Sequence, residues 1–112
     1  YPHIRRNFVD AVPKGKELDY ATPAVQGVQY CNKLFEIERY CSNKKYTQEQ
    51  RRKLRDEKSR TVIESFKKWL HNQSPVKGSR FDKAVKYTLN LEDYLMTYLE
   101  DGRSLLAVRN YP

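Results

Sequence analysis

Apolar residues recur along this chain at the three- and four-residue spacing of amphipathic α-helices, and they do not alternate strictly as in a β-strand. Glycine and proline lie at the breaks between these stretches, for example at Pro13 and Gly15 and at Pro75 and Gly78. The pattern predicts an all-α fold in which 1–112 form a single helical domain. We expect a bundle of one short and three long helices with short, antiparallel connections.

Helix start signals give approximate bounds for the four helices. Thr22 followed by Pro23 is a typical N-cap and first helical position, and it opens the second helix. Thr47 and Gln50 have the spacing of a capping box, which opens the third helix. The predicted helices cover about 3–12, 23–43, 47–72 and 79–101.

Each long helix carries one apolar stripe that we expect to face the core. The expected core residues are Val28, Cys31, Leu34, Phe35 and Cys41 in the second helix, Val62, Phe66, Trp69 and Leu70 in the third, and Phe81, Val85, Thr88, Leu91, Leu95 and Leu99 in the fourth. Trp69 should anchor the third helix against the fourth. Cys31 and Cys41 lie ten residues apart in the second predicted helix, which places them about 15 Å from each other. This distance is too long for a disulfide between them, so we expect two buried thiols.

The charge of the chain favours a polyanionic partner. It has 112 residues with 22 Lys and Arg against 14 Asp and Glu, which gives a net charge of +8. Such an excess favours nucleic acid before a membrane surface. No apolar run is long enough to span a bilayer, and the first residues lack the pattern of a signal peptide. We therefore expect no membrane partner and a cytoplasmic location.

The third helix changes character along its length. At about 100° per residue, the apolar stripe of its second half continues into Arg51, Arg55 and Lys58. Eight basic and three acidic residues lie in 44–60, a net charge of +5. One interpretation is a solvated hairpin tip whose charges pair within the chain, Glu36 or Glu38 included. The other is an arm that extends about 20 Å beyond the core and contacts phosphates.

No motif in the chain predicts catalysis. A Gly-rich phosphate loop, a nucleophile motif and a Cys/His spacing for zinc are all missing from the sequence. Adjacent carboxylates such as Glu92 and Asp93 point about 100° apart on a helix and rarely share one metal. We expect no catalytic residue, no metal site, no cofactor and no small-molecule substrate in this chain.

Several short segments, taken together and in their order along the chain, are characteristic of one protein family, although no single segment would be. They are PHIRRNFVDA at 2–11, LFEIER at 34–39, LRDEKSRTVIESFKKWL at 54–70, SP at 74–75, KAVKYTLN at 83–90 and YLEDGR at 98–103. In content, order and spacing they resemble the insertion-sequence-66 family of bacterial transposases. The resemblance covers nearly the whole chain up to Arg103, and 104–112 depart from the family pattern.

This resemblance implies a DNA transposase whose catalytic core is RNase H-like. In that family two Asp and one Glu bind two divalent metals, Mg²⁺ or Mn²⁺, for strand cleavage and joining. The segment resembled here is a helical insertion between the second Asp and the Glu, and 104–112 lack the Asn-Asn-x-x-Glu element that carries the Glu. We therefore expect a fragment that is inactive alone and that binds double-stranded DNA or a second protomer.

The candidate phosphate contacts follow from the charge pattern and the resemblance. They are Arg51, Arg52, Lys53, Arg55, Lys58 and Arg60, with Arg5 and Arg6 as a second group. Arg5 and Arg6 are included because the family motif would place them just after a core strand. The alternative is a helical protein-interaction or dimerisation module with no role in nucleic-acid binding.

Overall fold

The computed structural model describes 4–93 and residue 95, and this part of the chain is helical and contains no strand. The all-α prediction is confirmed. The α-helices are α1 (Ile4–Ala11), α2 (Pro23–Asn43), α3 (Gln48–Leu54), α4 (Arg60–His71) and α5 (Arg80–Leu89). A π-helical segment, Arg55–Ser59, joins α3 and α4 into one continuous helix. No helix in the described part is long and apolar enough to cross a bilayer.

Both predicted start signals lie at helix starts, but only the second makes side-chain capping bonds: Thr22 precedes Pro23 of α2 without a side-chain capping bond. Thr47 and Gln50 form the expected capping box, in which the Thr47 hydroxyl accepts from the Gln50 N–H at 3.2 Å and the Gln50 side chain accepts from the Thr47 N–H at 2.9 Å. Ser79 caps α5 by accepting from the Asp82 N–H at 3.1 Å. The carboxylate of Asp82 accepts from the Gly78 N–H, and this bond lowers the pKa of Asp82.

The fourth predicted helix is shorter than expected within the described residues. It ends at Leu89, and a turn at residues 90 and 91 precedes further helical residues at 92, 93 and 95. The hydroxyl of Thr88 donates to the carbonyl oxygen of Ala84 at 2.8 Å, an arrangement that bends helices. The predicted continuation to Asp101, with Leu99 in its stripe, lies outside the described residues.

Helix α2 and the continuous helix from α3 to α4 form an antiparallel hairpin. Trp69 donates from Nε1 to Oε1 of Gln26 at 2.9 Å near one end of the hairpin, and Arg55 contacts Glu38 nearer the other. Because the partners run in opposite order along the two helices, the connection is antiparallel as predicted. We call 42–53, the end of α2 with the following turn and most of α3, the hairpin tip.

The core lies where α1 and α5 pack on the hairpin. The ring of Trp69 lies 5.8 Å from that of Phe8, 5.6 Å from Tyr30, 6.0 Å from Phe66 and 6.0 Å from Phe81, so it contacts aromatic residues of α1, α2, α4 and α5. Trp69 thus lies between α4 and α5, as the expected anchor would, and is itself half-buried. The other expected core residues that are buried are Cys31, Leu34, Cys41, Phe66, Leu70, Val85, Thr88 and Leu95. Those that are only partly buried against the core are Val28, Phe35, Val62, Phe81 and Leu91.

Gly27 allows α1 to approach α2 closely. A Cβ at this position would lie 2.5 Å from Cδ1 of Phe8, whose ring is fully buried. We therefore expect Gly27→Ala to lower the free energy of unfolding by about 1–3 kcal/mol, despite the better helix propensity of alanine. Chemical denaturation would measure it. In a Phe8→Leu background the same substitution should cost less, and an equal cost in both backgrounds would contradict the steric explanation.

Candidate nucleic-acid interface

The apolar interior of the hairpin gives way to a charged layer near the tip. Arg55 is 0 % exposed, and its guanidinium contacts both carboxylate oxygens of Glu38, with Nε to Oε2 at 2.9 Å and Nη2 to Oε1 at 2.5 Å. Arg51 also contacts Oε1 of Glu38, at 3.3 Å. Two of the three residues on the predicted basic stripe therefore bind an acid of the same chain.

This layer corrects the expectation of an arm that extends beyond the core. The π-helical segment packs against α2, so Arg55–Ser59 belong to the packed part of the hairpin, whereas α3 makes few contacts with α2. Arg55 has no exposed surface for a phosphate, and the structure gives it a positioning role instead. The interpretation in which Glu38 pairs with the basic residues across the turn is the one that the structure supports.

The π-helical segment brings Arg55 and Ser59 to the buried side of the helix. The Arg60 N–H donates to the carbonyl oxygen of Arg55, a five-residue step that defines a π turn. Both Arg55 and Ser59 are fully buried. Within the described residues the Ser59 hydroxyl has no hydrogen-bond partner. No sequence signal indicated this segment, because π turns lack the capping residues that mark helix ends.

The remaining candidate residues lie in different surroundings. Arg52, Lys53, Lys58 and Arg6 are exposed. Arg60 is half-buried and contacts Asp56 at 2.8 Å. Arg5 donates from Nε to Oδ1 of Asn32 at 2.9 Å, which holds α1 against α2. The structure thus brings Arg52 and Lys53 together on α3 and leaves Arg5 and Arg6 on another helix.

The hairpin tip gathers exposed cations from both of its helices and from the turn. Lys44 and Lys45 follow α2, and Arg52 and Lys53 belong to α3; all four are exposed. Lys45 has a φ of 54°, which turns the chain sharply between the helices. Lys44 places its Nζ 5.8 Å from the ring centre of Tyr40. Long basic side chains on a projecting turn are suited to contact phosphate groups.

A feature that the sequence pattern did not predict is a pair of cavities lined by residues of both helices of the hairpin. The first, about 330 Å³, is lined by Tyr20, Gln26, Gln29, Tyr30, Lys33 and Trp69. The second, about 580 Å³, includes Lys33, Ile37, Tyr40, Tyr46, Leu54 and Lys58 in its lining. They share Lys33, and we call the two together the aromatic trough. In the sequence, these cavities could have been inferred from the spacing of Lys33, Ile37 and Tyr40, which places the three residues on one side of α2.

The two thiols are structural. Cys31 and Cys41 are free and buried, as predicted. Burial raises the pKa of both thiols. A raised pKa disfavours the thiolate, which is the form that nucleophilic chemistry needs.

The described residues offer no site for the divalent metals that the family resemblance implies for an intact enzyme. Among 4–93 and residue 95, no three side chains of His, Cys, Asp or Glu come together in a way that could hold a metal ion. A two-metal site needs several converging carboxylates.

Comparison with known families identifies one match. A family model described as "Transposase IS66 family" matches residues 1–106. Comparisons with curated proteins and with solved structures gave no match. The matched range includes the hairpin tip, the buried Arg55–Glu38 pair and every residue that lines the aromatic trough.

Proposed function

Because this chain belongs to the IS66 family of transposases, we propose that it is a helical part of a DNA transposase that binds double-stranded DNA through its hairpin tip. The observation behind the proposal is the set of four exposed cations, Lys44, Lys45, Arg52 and Lys53, on one projecting end of the fold. Strand cleavage and joining would be carried out by other parts of the enzyme.

The charged layer inside the hairpin supports this division of roles. Glu38 neutralises Arg55 and contacts Arg51, so these two arginines fix the position of α3 against α2. The exposed cations then project from a scaffold that is already ordered. Preorganised side chains lose less conformational entropy on binding, which favours phosphate contact.

The phosphate contacts that we propose are graded by exposure. Lys44, Lys45, Arg52 and Lys53 form the main set, because all four side chains are exposed in the hairpin tip. Lys58 is also exposed but lies outside the tip, in the π-helical segment. Arg60 and Arg51 are secondary, since each already contacts an acid of the chain. Arg6 is exposed on α1, and Arg5 would need to leave Asn32.

Removing two of these cations should weaken the binding of duplex DNA to the same extent whatever the base sequence of the DNA. We expect Arg52→Gln with Lys53→Gln to lower the affinity for several unrelated duplexes equally. Each phosphate contact contributes about 0.9 to the log–log dependence of binding on salt, so the slope should fall by about 1.8. Fluorescence anisotropy over a range of salt concentrations would measure both effects. Helicity should be retained, because glutamine is nearly as good a helix former as arginine or lysine.

The matched control removes the same charge from the opposite end of the hairpin. Lys14 and Lys77 are exposed in the loop before α2 and in the turn after α4, and α2 separates them from the hairpin tip by about 30 Å. Lys14→Gln with Lys77→Gln should leave the slope close to that of the unmodified chain. Equal slopes in both double variants would contradict the proposal. Salt-insensitive self-association without DNA binding would instead support the interaction-module alternative.

A further inference from the structure

The aromatic trough presents rings to solvent along α2, with the second cavity near the hairpin tip and the first toward the opposite end of the hairpin. Tyr40 is 47 % exposed and Tyr20 is 61 % exposed, although large aromatic side chains are usually more buried. Tyr30 and Trp69 line the first cavity and are half-buried. One face of the Tyr30 ring is stacked on Phe66, with the ring centres 5.0 Å apart, so only its other face and its edge are open to a ligand. The trough is therefore a mainly apolar surface with several ring edges or faces within reach of a ligand.

Tyr40 and Tyr46 form a fixed pair in the second cavity. Their ring centres are 5.9 Å apart and the rings meet at 83°, edge to face. A hydrogen bond between the two side chains raises the pKa of Tyr46. This pair joins the end of α2 to the start of α3, so its rings are held in place by the same turn that displays the cations of the hairpin tip.

Lysines accompany the rings along the whole trough. Lys33 places its Nζ 5.5 Å from the ring centre of Tyr30 and lines both cavities, and Lys58 lines the second. Lys44 lies against Tyr40. Glu36 is the one carboxylate among the lining residues of the two cavities. The surface is thus both apolar and basic, and it suits a ligand that combines flat apolar faces with negative charge.

Single-stranded DNA has this combination and duplex DNA does not. In a duplex the base faces are stacked on one another and the outer surface is phosphate and sugar. In a single strand each base exposes a face that can stack on an aromatic ring, and lysines neutralise the adjoining phosphates. Glu36 can accept from an exocyclic amino group of a base, as acidic side chains do with cytosine.

We propose that the aromatic trough binds single-stranded DNA adjoining a duplex that the hairpin tip holds. The inference rests on the proposed function, since the duplex contact brings the strand to the trough. Tyr30 and Tyr40 are ten residues apart on α2, about 15 Å along the helix axis, so they would contact different bases. The trough is therefore a short track for several unpaired nucleotides.

The test compares three DNA molecules that share one duplex: a blunt form, a form with a single-stranded tail, and a form whose tail has the same length but lacks bases. The abasic tail adds the same phosphates, so it isolates the contribution of the bases. Stacking of one base on an aromatic side chain contributes about five- to 150-fold in affinity. We expect the tail with bases to bind at least fivefold more tightly than the abasic tail. It should also change the fluorescence of Trp69, the single tryptophan of the chain.

Two variants at one exposed position locate the effect. Tyr40→Leu keeps an apolar side chain but removes the ring, and it should reduce the advantage of the base-bearing tail by at least fivefold. Tyr40→Phe keeps the ring and loses only the hydroxyl, so it should retain that advantage. Tyr40→Phe should bind the blunt duplex as the unmodified chain does, because it keeps the ring against which Lys44 lies. Tyr40→Leu loses that ring, so its affinity for each tailed form is compared with its own affinity for the blunt duplex.

The outcomes separate this inference from the proposed function. Failure to bind the blunt duplex, with no salt-dependent slope, would overturn the duplex-binding role and the inference that rests on it. Normal binding of the blunt duplex with equal affinities for the two tailed forms would overturn the trough alone. A base-dependent advantage that Tyr40→Leu leaves unchanged would place the strand elsewhere and would also overturn the trough.

Discussion

Replacing Glu38 with Gln should lower the free energy of unfolding by about 3–5 kcal/mol, the usual cost of breaking a buried ion pair. The side chain of Glu38 is only 12 % exposed, and its partner Arg55 is fully buried. Glutamine has nearly the same size but no charge, so the buried guanidinium of Arg55 would lose the carboxylate whose two oxygens it contacts. Chemical denaturation followed by circular dichroism would measure the change.

The control for this prediction breaks an exposed ion pair in the same helix. Asp56→Asn removes the partner of Arg60, and both side chains of this pair are substantially exposed, at 64 % and 37 %. Exposed pairs contribute about 0–1 kcal/mol, so this variant should change stability little. Equal effects of Glu38→Gln and Asp56→Asn would contradict the importance that we give to the buried pair.

A double replacement tests whether charge, and not volume, explains the loss. Glu38→Leu with Arg55→Met removes both charges and keeps apolar side chains of similar size. Buried ion pairs replaced in this way are often neutral or stabilising, so the double variant should recover most of the stability that Glu38→Gln loses. A double variant as unstable as the single one would indicate that the hairpin depends on these side chains for shape.

Trp69→Ala should have an effect of the same size, a loss of about 3–5 kcal/mol. Its ring contacts aromatic side chains from four helices, so truncation would open a cavity where those helices meet. The loss is a large share of the about 5–15 kcal/mol that stabilises a typical domain. Thermal and chemical denaturation followed by circular dichroism would measure it without depending on tryptophan fluorescence.

A conservative variant separates ring packing from the polar contact of the indole. Trp69→Phe keeps an aromatic ring but loses the hydrogen bond from Nε1 to Gln26. It should therefore cost less than Trp69→Ala, since a typical hydrogen bond contributes about 1 kcal/mol and part of the ring contact remains. A loss below about 1 kcal/mol in Trp69→Ala would contradict the anchoring role.

The sequence by itself determined the helices and most of the core. The capping box of Thr47 and Gln50 depends on residues three apart, and the apolar stripe through Phe66 and Leu70 depends on residues four apart. Such local interactions are visible in sequence spacing, because a helix brings only near neighbours together. The family, too, is recognisable from short motifs in the sequence, because it depends on their content and order and not on how the helices pack.

Only the tertiary structure decided what the basic residues contact. The spacing of Arg51, Arg55 and Lys58 is the same whether the side chains face water, phosphate or an acid, and the acid that binds Arg55 lies 17 residues away on another helix. The π-helical segment then turns Arg55 inward while Lys58 stays exposed. The trough between the helices has the same origin, since its rings come from segments that only packing brings together. Sequence periodicity specifies which face of a helix a residue occupies, and the packing of the helices determines what lies opposite that face.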